Sequence, residues 1–145
     1  MRLPSTRREL QRVIFCSTYA MRKTNKRILV ADDSPHIRKA LCKLFEGHGF
    51  LEICAEAVDG RDAVNKAIEL KPDLIILDLS MPVMNGLEAA RILKDLMPHV
   101  PMILFTMHAH ALLQADIRAS GIHRVVSKSD MSKLIGHSEE LVKAA

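Results

Sequence analysis

Four short apolar runs in this 145-residue chain each stop on a residue with chemistry to offer. Ile28-Leu29-Val30-Ala31 runs into Asp32-Asp33, and Leu74-Ile75-Ile76-Leu77 into Asp78. Met102-Ile103-Leu104-Phe105 runs into Thr106, and Arg124-Val125-Val126-Ser127 into Lys128. In a parallel α/β sheet the carboxyl ends of the strands share one edge, where ligands bind. Residues that end strands far apart in sequence therefore become neighbours. Three carboxylates, a hydroxyl and an ammonium would meet in one pocket. Clustered carboxylates repel one another and call for a divalent cation, and a donor set made only of oxygen points to Mg²⁺.

The pattern between these runs supplies the helices such a sheet needs. Strands are expected at about 27–31, 51–56, 73–78, 101–106 and 123–127. Ser34-Pro35 reads as the cap and first turn of a helix with Ile37, Leu41, Leu44 and Phe45 on one face, closed by Gly47-His48-Gly49. Asp59 caps a second helix whose inner face is Ala63, Val64, Ala67 and Ile68, stopped by Lys71-Pro72. Asn85 with Glu88 forms a capping box for a third, which runs to about Met97. A fourth is expected over about 110–119, ending at Gly121. Ser129 is expected to cap a fifth, with Leu134, Ile135, Leu141 and Val142 inward. The Leu/Ile run of the third strand lacks polar alternation, as a strand covered on both faces should. Five βα units without a break predict a doubly wound parallel sheet with helices on both faces.

Charge divides the chain into two parts. Residues 1–27 hold eight Lys or Arg and one acid, Glu9, whereas residues 28–145 hold thirteen basic and sixteen acidic side chains. The overall charge of +4 thus belongs to the N-terminal segment. The domain offers no basic stripe and no aromatic platform for nucleic acid. Residues 1–26 read as a basic extension outside the core fold, and 27–145 as the domain, with Met21 a natural start. Within the extension, Thr6–Glu9 fits a capping box. Three scattered cysteines, Cys16, Cys42 and Cys54, form no metal or disulfide framework, which suits a reduced cytoplasmic setting. No apolar run is long enough to span a bilayer.

The strand-end residues suggest a chemistry. Asp33, Asp78 and the backbone carbonyl of Ser80, with Asp32 assisting, would hold Mg²⁺. Asp78 would act as nucleophile toward phosphorus, Lys128 would pair with a phosphoryl oxygen, and the Thr106 hydroxyl would bond another.

From Arg27 onward the chain resembles the receiver domain of two-component response regulators. The resemblance rests on Ile28-Leu29-Val30-Ala31-Asp32-Asp33, on Pro72-Asp73-Leu74-Ile75-Ile76-Leu77-Asp78-Leu79-Ser80-Met81-Pro82 with Asn85-Gly86, and on Thr106 and Lys128. It implies a flavodoxin-like sheet of order 2-1-3-4-5. It also implies Mg²⁺-dependent phosphorylation of Asp78 by a sensor histidine kinase or phosphotransfer protein. Signalling to an unidentified protein target, with room for a homodimer, is part of the same implication. Thr106-Met107-His108 and Ser127-Lys128-Ser129-Asp130 look most like the NarL/LuxR type, here expected without an output domain. Two departures stand out. Val125 occupies a position where the family commonly has an aromatic ring, so a ring-rotamer switch is absent there. Ser129 replaces a proline often found with a cis bond, so a trans bond is expected.

Other function classes fit less well. An Asp-nucleophile phosphohydrolase needs D-x-D-x-T on its first strand, which Asp32-Asp33-Ser34 does not supply. A flavin carrier needs a Ser/Thr/Gly phosphate loop and aromatic walls, and neither is visible. A degenerate receiver that binds a partner without phosphorylation is the alternative within the same class. His36 and His108 read as solvated histidines on the pocket rim.

Overall fold

A computed structural model of the chain describes residues 25–145, together with Arg7. Across residues 25–145 five strands alternate with five helices: β1 (Lys26–Ala31), α1 (Pro35–Phe45), β2 (Leu51–Ala57), α2 (Gly60–Leu70) and β3 (Leu74–Leu77) come first. They are followed by α3 (Gly86–Leu96), β4 (Met102–Thr106), α4 (Gln114–Ser120), β5 (Arg124–Ser127) and α5 (Lys133–Ala144). The strands pair in parallel in the order β2-β1-β3-β4-β5, so β1 and β3 lie side by side inside the sheet. Apart from Arg7, Asn25 and Lys26, the basic extension with its Thr6–Glu9 box falls outside the described residues, and Lys26 already belongs to β1. Among the described residues no helix is long and apolar enough to cross a membrane.

The central strands are apolar on every residue because both faces are covered. On one face Leu29, Ile75, Leu77 and Leu104 pack with Ala63, Val64, Ala67 of α2 and Ala89, Ala90, Leu93 of α3. On the other, Ile28, Val30, Leu74, Ile76, Ile103 and Phe105 pack with Leu41 and Phe45 of α1 and Leu134, Leu141 and Val142 of α5. Burying one Leu or Ile in this way contributes about 1.5–3 kcal/mol. The two cores clamp the sheet from both sides and fix the strand ends on which the site depends.

Side-chain caps set two of the five described helix starts. Asp59 accepts a hydrogen bond from the Asp62 N–H at 2.8 Å. Asn85 and Glu88 close a reciprocal capping box, with Asn85 Oδ1 accepting from the Glu88 N–H at 2.9 Å. Replacing Asn85 with Ala should lower unfolding free energy in urea by about 1 kcal/mol, and an unchanged midpoint would show that the box contributes nothing.

Four expectations need correction. Ile68 is 49% exposed. Gly60, Ala63, Val64 and Ala67 define the buried stripe of α2, and Ile68 lies roughly a quarter turn outside it. The fourth helix is split: a 3₁₀ turn covers Ala109–Ala111, Leu112 is extended with its side chain packed on the core, and α4 begins only at Gln114. Ser129 does not cap the last helix. The Ser127 side chain accepts from the Ser129 N–H at 3.3 Å and contacts its hydroxyl at 2.8 Å. This local bonding holds Lys128–Asp130 as a 3₁₀ turn and delays α5 to Lys133. Ser34 sits at the start of α1, but its side chain makes no capping bond there; its N–H is instead held by Asp32. The Lys128–Ser129 bond is trans, as expected.

Candidate functional site

Strand register brings the chemical side chains together. β1 and β3 are aligned so that Ala31 faces Leu77, and the Asp78 N–H donates to the Ala31 carbonyl at 2.9 Å. On the other side Thr106 faces Ser127, which sets Lys128 one residue beyond. Carboxylate oxygens of Asp32, Asp33 and Asp78 can all lie within 4.8 Å of one another. Asp32 and Asp78 are buried, whereas Asp33 is exposed. Lys128 Nζ approaches Asp32 Oδ2 at 2.8 Å and Asp78 Oδ1 at 3.2 Å. Thr106 is buried at the end of β4, and its Oγ1 accepts from the His108 N–H at 3.2 Å. Ser80 lies on the exposed loop two residues after Asp78. His36 and His108 are exposed, as read from the sequence.

Asp32 is held rigidly. Its N–H donates to the Ala57 carbonyl at 3.1 Å, its Oδ1 accepts from the Ser34 N–H at 2.8 Å, and its carbonyl accepts from Arg38 Nη1 at 2.7 Å. Asp32 Oδ2 is buried and receives no directed hydrogen bond among the described residues, although the Lys128 ammonium lies close.

The charges are unbalanced. Burial, followed by repulsion from Asp32, pushes the Asp78 carboxyl above the usual carboxylate range against the opposing pull of Lys128. Burial alone would lower the Lys128 ammonium, but its contacts with Asp32 and Asp78 outweigh that and raise it. One ammonium thus pairs with two of the three carboxylates. Three carboxylates whose oxygens lie within 4.8 Å of one another, paired with a single ammonium and including one acid strained by ionisation, fit a hard divalent cation.

The sequence did not single out the residues that hold this arrangement from behind. Ala57 accepts the Asp32 N–H through its carbonyl, and Arg38 bonds the Asp32 carbonyl. Gly60 donates its N–H to the Met84 carbonyl at 3.0 Å. A glycine at the first position of a helix, straight after its cap, was the one sequence hint.

Comparison with known proteins agrees with this fold. The family model for the response regulator receiver domain matches residues 28–139. A protein-glutamate methylesterase/protein-glutamine glutaminase from Nocardioides sp. strain JS614 is 35% identical over 121 residues, 82% of this chain and 33% of that protein. The transcriptional regulatory protein LnrK of Bacillus subtilis is 31% identical over 118 residues, 81% of this chain and 51% of that protein. The chain thus spans about a third and about half the length of these two relatives. Among solved structures, a two-component response regulator of the LuxR family from Aurantimonas sp. SI85-9A1 superposes with a TM-score of 0.75 at 29% identity. That match covers 83% of this chain and 87% of the other. The response regulator domain of Thermotoga maritima CheB gives 0.72 at 28% identity, over 84% and 96% of the two chains. The acids that end β1 and β3 and the lysine beyond β5 lie within the matched stretch, and on these grounds the chain belongs to the response regulator receiver domain family.

Proposed function

We propose that this receiver acts in the cytoplasm and accepts a phosphoryl group on Asp78 from a phosphohistidine of a sensor kinase or phosphotransfer protein, with Mg²⁺ as cofactor. The observation that supports this most directly is the meeting of Asp32, Asp33, Asp78 and Lys128 at one sheet edge. Asp33, Asp78 and the Ser80 carbonyl would hold the cation, with Asp32 assisting, and the cation would supply charge neutralisation on the transferring oxygens.

The chain's own groups do the rest. An Asp78 carboxylate oxygen forms a bond to phosphorus as the bond from phosphorus to the histidine nitrogen breaks, and the electron pair leaves with the imidazole. Lys128, already 3.2 Å from Asp78, turns to a phosphoryl oxygen and stabilises its charge. The Thr106 hydroxyl reaches another oxygen and gives up its bond from the His108 N–H. The loop that follows β4 moves with it. Val125, half-buried on β5, offers no ring to swing, so Thr106 and α4 carry the change to a protein partner.

Intact-mass spectrometry after incubation with a small phosphodonor should show one added phosphoryl group with Mg²⁺ and none with chelator. Mg²⁺ binding without phosphoryl uptake would instead favour a phosphorylation-independent binding module. Mg²⁺ should also raise the melting temperature by linkage, and Asp33→Ala should remove most of that increment. A variant that kept the full Mg²⁺ response would exclude Asp33 as a principal ligand.

A further inference from the structure

The two halves of the acidic site are joined by a backbone strap, Ala57–Gly60. At one end the Ala57 carbonyl accepts the Asp32 N–H at 3.1 Å, and at the other the Gly60 N–H donates to the Met84 carbonyl at 3.0 Å. The strap thus touches both the strand end that carries Asp32 and Asp33 and the loop that follows Asp78. It is stiffened from within. Asp59 Oδ1 accepts from the Asp62 N–H at 2.8 Å, and Asp62 Oδ2 accepts from the Val58 N–H at 3.0 Å.

The loop it grips is under tension. The Met84 N–H reaches back to the Pro82 carbonyl at 2.7 Å, a three-residue turn centred on Val83 at φ +68°. A β-branched residue at positive φ is strained by about 1–3 kcal/mol and persists only where its surroundings hold it. Val83 is 79% exposed, so packing of its own side chain does not hold it. Two backbone latches do: the Gly86 N–H donates to the Leu79 carbonyl at 2.9 Å, and Gly60 holds Met84. A Cβ at residue 60 would lie 2.2 Å from the Met84 carbonyl oxygen. That atom is backbone and cannot rotate aside, so any side chain there moves the loop.

We infer that Gly60 is a positioning residue for the divalent-cation site. Its bare α-carbon lets the first turn of α2 seat the loop behind Asp78 at the spacing from Asp32 and Asp33 that the cation needs. Gly60 touches neither cation nor phosphoryl group and acts through Met84 and the loop. The inference rests on the proposed Mg²⁺ site.

The test is Mg²⁺ affinity, measured by calorimetric titration on the full chain. Gly60→Ala, checked for native circular dichroism, should weaken Mg²⁺ binding about tenfold or more, as loss of outer support to metal ligands does. Gly136→Ala, whose added Cβ meets open space on α5, should leave it unchanged. A second measurement needs no variant. If the latch and the cation are coupled, coupling is reciprocal. Mg²⁺ should then slow hydrogen exchange of the wild-type Gly60 amide more than that of the Lys71 amide at the far end of α2. A folded Gly60→Ala protein with wild-type affinity would overturn the inference. So would Gly60 exchange that responds to Mg²⁺ no more than Lys71, and this result decides alone if the variant does not fold. No Mg²⁺ binding by the wild-type chain would sink the cation reading and this inference together.

Discussion

Asp78→Ala should abolish phosphoryl uptake from a small donor in Mg²⁺, with no added mass on the intact protein. Among the described acids, Asp78 alone follows the fully buried central strand β3, beside both the Asp32-Asp33 pair and Lys128. Asp32 is no substitute, because its Oδ1 is committed to the Ser34 N–H and its other oxygen faces the ammonium. Asp33 is exposed and is proposed above as a ligand of the cation. The same variant removes a buried, repelled carboxylate, so its loss of labelling should come with a fold that is not grossly destabilised. Labelling that survives in Asp78→Ala would move the acceptor elsewhere and overturn the proposed function.

Lys128→Met should cost roughly 3 kcal/mol of unfolding free energy in chelator, the scale expected when a buried pair loses one member. The Lys128 side chain is only 9% exposed, and its partners Asp32 and Asp78 are more buried still. The sign against pH follows from the raised ammonium. Its stabilising contribution is complete below the ordinary lysine value and is lost only as pH rises through the raised one, so the loss should be full at neutral pH. The raised Asp78 carboxyl works the other way. Once ionised it opposes folding, so stability in chelator should fall as pH rises from the ordinary carboxylate value through the raised one. Adding Asp78→Asn to Lys128→Met should therefore recover much of the loss, a coupling that a double-mutant cycle measures. Mg²⁺ should recover much of it as well. A Lys128→Met midpoint equal to wild type in chelator would show that the ammonium does not hold the two acids.

Much of the sheet could be read from sequence because each strand carries its own signature. Leu74–Leu77 is apolar without alternation and stops at a carboxylate, which only a doubly covered strand does at its carboxyl edge. The same logic put Asp32, Thr106 and Lys128 at or just beyond strand ends, and strand register brings Asp32 and Lys128 together. What could not be read depends on tertiary approach or on local competition for backbone groups. Ile68 has the spacing of a core residue, but the alanines beside it set how α2 rolls against the sheet. Ser127 and Ser129 could each have capped a helix, and their mutual bonding makes a 3₁₀ turn instead. The split before α4 follows from Leu112 turning inward, and no nearby Gly or Pro announces it. Gly60 looks like an ordinary helix-start glycine until Met84, twenty-four residues later, is seen to fill the space of its missing side chain.

Because every chemical group gathers on one rim of the sheet, the opposite rim is left free for change. There the connection between α3 and β4 exposes Pro98 and His99 before the chain dives into the core at Pro101. Insertions, tags or a fused partner placed at this tip would have no direct route to the acids, since strands clamped on both faces separate the two ends. The carboxyl rim has no such slack. A residue added between Leu79 and Met84 would enlarge the loop that the Gly86 and Gly60 latches close. Lengthening of this chain, whether by evolution or by design, is therefore expected at the rim that carries no chemistry.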